Sequence, residues 1–145
     1  MKRNVEPDLL ACRACLCLAS RRASRAITRA FDRRLRPYGI RSTQFSILVT
    51  LLERGPTTIG DLAEALGIER TTLTRNLRVV EDRGWVKISV GDLDGRSRVV
   101  TATRKGRTAV ATALPSWREA QDAAAAALGR SGFAALHALA DTAIA

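Results

Sequence analysis

The stretch "LGIERTTLTRNLRVVEDRGWV", residues 66–86, decides the reading of this chain, because one short helix within it carries two faces of opposite chemistry. Gly67 supplies a turn, and Gly84 can take the left-handed conformation at a helix end, so a helix is expected from Arg70 to about Arg83. At about 100° per residue, Leu73, Leu77 and Val80 fall within about 60° of one another, while Thr71, Arg75 and Arg78 lie on the opposite side. The narrow apolar stripe can seat this helix on a small core. Its outward face, with Thr72 and Thr74 alongside, consists of hydroxyls and guanidiniums, groups that bond phosphates and base edges. Arginine matches the two acceptors of guanine, and threonine can hydrogen-bond or lie against a thymine methyl.

The flanks complete a unit. Thr58, with Asp61 three residues on, resembles a capping box for a short helix ending at Leu66. A short helix, a glycine turn and the hydroxyl/arginine helix make a helix-turn-helix. Downstream, "WVKISV", "GDLDG" and "RSRVVTAT" are two alternating apolar runs around a Gly/Asp-rich turn, the pattern of a β-hairpin. Arg96 sits at that turn and Arg98 on the returning strand, so the hairpin is a basic wing able to push an arginine into a narrow, electronegative minor groove.

Further out, Ser42 can cap a helix through about Arg54 whose inner face holds Phe45, Leu48, Leu51 and Leu52, ended by Gly55-Pro56. Residues 9 to about 35 read as one long helix with Leu16, Ala23, Ile27, Ala30 and Phe31 along one stripe. Arg22, Arg25, Arg29, Arg33 and Arg36 form a second stripe before Pro37 and Gly39 end the helix. This stripe is either a solvated face or a set of phosphate-reaching side chains beside the recognition unit. Thr103 can cap a helix to about Leu128 that Pro115 should kink. Gly129 stops it, Ser131 restarts it, and a last amphipathic helix carries Phe133, Leu136, Leu139 and Ile144.

Composition bounds the function. At 145 residues the chain is about one domain long, and 46% apolar residues with only 4% aromatic imply an aliphatic, Ala-rich core. Twenty-four Lys and Arg against 14 Asp and Glu give a net charge of +10, a field that favours polyanions. No stretch approaches the roughly 18–20 apolar residues of a membrane span. The arginine-striped helix is mostly alanine on its other side, without the anchors of a membrane-surface helix. In "MKRNVEPDLLACRACLCLAS", Glu6, Pro7 and Asp8 interrupt any secretory apolar core, so a cytoplasmic location is expected.

Taken together, "LAEALGIERTTLTRNLRVVEDRGWV" and "DLDGRSRVVTATRKG" resemble the multiple-antibiotic-resistance-regulator (MarR-type) family of bacterial winged-helix transcription factors. The sharpest matches are "LTR" at Leu73–Arg75, "GWV" at Gly84–Val86 and "DGRSR" at Asp94–Arg98. Asp94 and Arg96 match the family's wing-tip acid and arginine, whereas Gly91 and Ala102 replace its usual acidic and leucine positions. The resemblance implies a mainly α fold with a small β-hairpin wing in a single domain spanning residues 1–145. Its DNA-binding lobe would cover approximately residues 40–104, with helices at 9–36 and 104–144 pairing across a two-fold axis. It also implies a homodimer on a palindromic double-stranded operator, contacted by Thr71, Thr72, Thr74, Arg75 and Arg78 in the major groove and by Arg96 and Arg98 from the wing. An unidentified small-molecule effector would bind between the lobe and the dimer helices. Chain length supports the dimer separately, since long terminal helices in so short a chain cannot bury all their apolar stripes within one protomer.

Three cysteines, Cys12, Cys15 and Cys17, cannot form a complete disulfide set in one chain. On a straight helix Cys17 would lie about 200° from Cys15, so the three cannot share one metal ion, and no metal or cofactor is expected. The bland reading is small apolar thiols packed in a dimer-forming helix. The alternative is redox control through Cys15 or Cys17, with Arg21 and Arg22 as cationic neighbours of the kind that make cysteines reactive. The family's hydroperoxide regulators use two tyrosines for that activation, and the matching places here hold Phe31 and Ser42. A thiol enzyme is the rival class. It lacks a histidine partner for the cysteines, because His137 is the only histidine, and any phosphate-cradling glycine loop. A non-specific architectural DNA binder is the other alternative.

Overall fold

The computed structural model describes residues 9–91 and 95–142. In chain order its elements are α1 (Leu16–Leu35), α2 (Ser42–Arg54), β1 (Thr57–Thr58), α3 (Ile59–Leu66), α4 (Arg70–Asp82), β2 (Val86–Val90), β3 (Arg98–Ala102) and α5 (Arg104–Ala140). Single 3₁₀ turns precede and follow α1, at Ala11–Ala14 and Arg36–Tyr38. The three strands form one antiparallel sheet in the order β1-β3-β2, with Ile88 opposite Val100 and Thr57 also opposite Val100 on the other edge. No helix among the described residues is long and apolar enough to cross a membrane.

The core is where the three short helices meet the sheet. Leu35, Ile47, Leu48, Leu62, Leu73, Val80 and Val100 are wholly buried in a single apolar cluster, each contributing about 1.5–3 kcal/mol by leaving water. Phe45, Leu48 and Leu51 of α2 are buried as the periodicity requires, and Leu52 is half-buried. Gln44 is the buried polar residue among the described residues, and its Oε1 accepts the Arg41 N–H at 3.0 Å, capping α2 from the third turn position. Arg41, not Ser42, is therefore the N-cap. The Ser42 N–H instead donates to Asp32 Oδ1 at 2.7 Å and ties α2 to α1.

Three expectations change. The single helix from residue 9 is broken at Cys15, whose extended ψ of 113° ends the 3₁₀ turn and starts α1 one residue later. The hairpin gains a third strand, because Gly55-Pro56 turns the chain and leaves the β-branched pair Thr57–Thr58 extended beside β3. Helical dihedrals run straight through Pro115. The expected stop at Gly129 is present, since its φ of 68° and ψ of 173° no helix can contain, and the α5 span is two helical segments meeting there. Cys12, Cys15 and Cys17 are exposed in the protomer, so any packing of these thiols would have to come from a second copy. The expected positions of Asp94 and Ile144 lie outside the described residues.

A close contact joins sheet and helix. The Thr103 N–H donates to Trp85 O at 2.9 Å, Thr103 Oγ1 donates to Gly84 O at 2.6 Å, and the Gly106 N–H returns to Thr103 Oγ1 at 3.1 Å as the N-cap bond of α5. A Cβ on Gly106 would lie 2.2 Å from Trp85 O, so only glycine lets α5 rest on the root of β2.

Candidate nucleic-acid interface

The helix-turn-helix forms as its caps dictate. Thr58 Oγ1 accepts the Asp61 N–H at 3.1 Å and opens α3, and Gly67 closes it at φ 61°. After this turn α4 buries Leu73, Leu77 and Val80 and leaves Thr71, Thr72, Arg75 and Arg78 exposed. The two faces read from the sequence are thus the two faces observed. No hydrogen bond or ion pair among the described residues engages the Arg75 or Arg78 guanidinium, so both are available to an external acceptor.

Thr74 differs from its neighbours. It is half-buried, and its hydroxyl donates to Arg70 O at 2.8 Å. With its proton committed to the helix, Thr74 offers an acceptor lone pair and a methyl group, which suits a base amino group or a thymine methyl better than a phosphate. Asn76 similarly spends an Nδ2 proton on Thr72 O at 3.0 Å. In the wing, Arg96 and Arg98 are exposed, Arg98 opposite Val90 in the β2–β3 ladder, and the Gly91 N–H donates to Ser97 O at 2.8 Å to close the base of the turn.

Behind α4, Arg83 ends the helix. Its guanidinium lies 4.8 Å from the Trp85 ring centroid, and its Nη1 donates to Gly39 O in the loop between α1 and α2. This bracket was not legible in sequence, since nothing local to Arg83 points 44 residues back along the chain.

A cavity of about 310 Å³ lies between α1, α2, the end of α3 and α5. Ile27, Thr28 and Phe31 wall it from α1, Ser42, Thr43 and Ser46 from α2, and Trp117 from α5. The Trp117 ring stacks on Phe45 at 5.9 Å and tilts against Phe31 at 6.3 Å, giving an aromatic floor edged by hydroxyls. Of the site residues, Phe31 and Ser42 were singled out in sequence, but Trp117 was not. In a chain with only six aromatic residues, three meeting at one place was the signal available.

The cysteines stand apart from this cavity. Cys15 is the N-cap residue of α1 and Cys17 lies in its first turn, both exposed. Because the chain is broken at Cys15, the straight-helix geometry that set Cys17 opposite Cys15 does not apply.

Comparison with known proteins bears on this arrangement. Residues 40–97 match the family profile described as MarR family. The Mycobacterium tuberculosis transcriptional regulator MosR, solved in complex with DNA, is 40% identical with a TM-score of 0.75, over 88% of this chain and 96% of that one. Overoxidized AbfR bound to DNA is 26% identical with a TM-score of 0.68, over 76% of this chain and 81% of that one. The HTH-type transcriptional regulator YwoH of Bacillus subtilis is 32% identical over 83 residues, 57% of this chain. The match spans 60% of the length of that curated relative.

Proposed function

The chain belongs to the MarR family, and from that premise we propose that it is a homodimeric transcriptional regulator that binds a palindromic operator and is released by a small ligand or by thiol oxidation. One observation carries the reading: α4 turns Thr71, Thr72, Arg75 and Arg78 to solvent while it seats Leu73, Leu77 and Val80 in the core. Arg75, Arg78, Thr71, Thr72 and Thr74 read the major groove, and Arg96 and Arg98 approach the flanking minor groove from the wing. The lobe of residues 40–104 meets DNA, and the helices at 9–36 and 104–144 form the dimer. Exposed Leu16, Leu18, Leu136 and Leu139 support that dimer, since such leucines need a cover that one protomer does not supply. Two recognition helices then lie about one DNA turn apart, roughly 34 Å.

Two signals fit the architecture. The aromatic, hydroxyl-edged cavity suits a small planar apolar ligand with one polar group, wedged between α1, α5 and the DNA-binding lobe. The second signal is oxidation of exposed Cys15 or Cys17. An organic hydroperoxide would take one thiolate to the sulfenic acid and leave as the alcohol, and a second thiol would displace water to form a disulfide. The related AbfR, solved on DNA in both reduced and overoxidized form, supports oxidation itself as chemistry that such a scaffold accommodates; release on oxidation is a property to be tested on this chain.

Selection of duplexes from a random pool by the full chain, followed by fluorescence anisotropy, tests the reading. A palindromic consensus bound by two protomers, at least about a thousandfold tighter than scrambled DNA, is expected for a specific regulator. Equal affinity for both sequences would leave an architectural binder, and multiple turnovers of peroxide with a thiol reductant would favour an enzyme.

A further inference from the structure

We propose that a second recess, on the far end of α1, is a binding site for a small phosphate-bearing anion. Arg29, Arg33, Arg36 and Arg41 line one cavity of about 500 Å³ together with Asp32 and Gly39. Arg29, Arg33 and Arg36 follow one another at four- and three-residue spacing, so they stack along one face at the end of α1 and just past it. Arg41 closes the recess from the head of α2.

Charge is what singles this place out. Four guanidiniums face one carboxylate, and none of the four is in an ion pair, the ion pair among the described residues being Arg34 with Glu119 on α5. The helix C-terminus explains a cation at Arg33, in the last turn of α1. It does not explain Arg29 one turn back, Arg36 past the end or Arg41 on the next helix. Asp32 offsets only one of the four charges, and its Oδ1 is oriented by the Ser42 N–H at 2.7 Å, so an excess of positive charge remains in the recess. Guanidinium forks match phosphate oxygens in pairs, and a recess of about 500 Å³ is within the size range of small-molecule sites. Asp32 keeps a second carboxylate oxygen able to accept a hydroxyl, which favours a phosphorylated hydroxy compound. The recess is also joined to α4, since Gly39 in its wall accepts the Arg83 bond.

The test uses inorganic pyrophosphate and the full chain without DNA, at constant ionic strength in an isothermal titration, so that it is independent of the operator reading. One saturable site per protomer is expected. Arg33→Gln and Arg41→Gln should each weaken it at least tenfold, Arg33→Lys should weaken it less, and Arg107→Gln, which removes the same charge from an exposed position on α5, should leave it unchanged. Arg33, Arg41 and Arg107 are all exposed, and melting within a few degrees of wild type is expected for each variant. Absence of saturable binding, or equal losses for Arg107→Gln and Arg33→Gln, overturns the proposal. So does a wild type that fails to saturate while Arg33→Gln lowers DNA affinity and its salt slope, which would make the recess a DNA-phosphate surface.

Discussion

Arg75→Ala isolates the outward face of α4. The side chain is exposed, forms no hydrogen bond or ion pair among the described residues, and lies opposite the buried Leu73, Leu77 and Val80, so its loss leaves the fold intact. Whatever affinity disappears therefore comes from the DNA. A bidentate arginine–guanine contact is worth about 1–3 kcal/mol, and a two-fold dimer makes it twice, so operator affinity should fall by about 2–6 kcal/mol overall. The lower bound is a loss of about thirtyfold, since each 1.4 kcal/mol is tenfold. Anisotropy at several salt concentrations, on operator and scrambled duplexes, separates the contributions. Loss confined to the operator, with discrimination relaxed at one base pair per half-site, is the expected result. Equal loss on both duplexes, with a shallower salt slope, would reduce Arg75 to a phosphate contact. Wild-type affinity would refute the recognition-helix assignment itself.

The other predictions test what supports that face. Leu77→Ala, at a wholly buried position beneath α4, should cost about 2–5 kcal/mol of stability, read as a lowered urea midpoint with an unchanged slope. Gly106→Ala should destabilise by more than the usual 1–3 kcal/mol of overpacking, because its Cβ would meet the Trp85 carbonyl; a melting temperature equal to wild type would contradict the close approach of α5 to β2. Organic hydroperoxide should weaken operator binding by wild type but not by Cys17→Ser. If wild type is also unaffected, the cysteines are not a redox signal.

The parts legible in sequence were those governed by local rules. Thr58 and Asp61 announced the start of α3, and the period of Leu73, Leu77 and Val80 gave the faces of α4 without any tertiary information. What escaped depended on distance along the chain. Thr57–Thr58 becomes a strand only because Val99 and Val100, some forty residues on, offer an edge. Ser42 looked like a cap, yet Asp32 on another helix engages its N–H and Gln44 serves Arg41. Pro115 looked like a kink, but a helix packed along α1 tolerates one missing hydrogen bond more readily than the left-handed φ that Gly129 adopts. The arginine stripe was visible as periodicity. That Arg29, Arg33 and Arg36 of it line a recess with Arg41, while Arg34 beside them pairs with Glu119, required the fold.

The glycine contact at the root of the wing sets how motion travels. Where Gly106 meets the Trp85 carbonyl there is no intervening side chain to repack, so a direct backbone contact couples α5 to the root of β2. From Thr103 to the bend at Gly129, α5 is a lever about 39 Å long at 1.5 Å per residue. Trp117, in the wall of the central cavity, sits roughly halfway along it. A tilt of about 5° about the wing root displaces the far end by roughly 3 Å over such a length, while the wing itself turns by the same angle. A wedge at mid-lever is thereby geared to the aim of the wing, and a single alanine at residue 106 would put play into that gear.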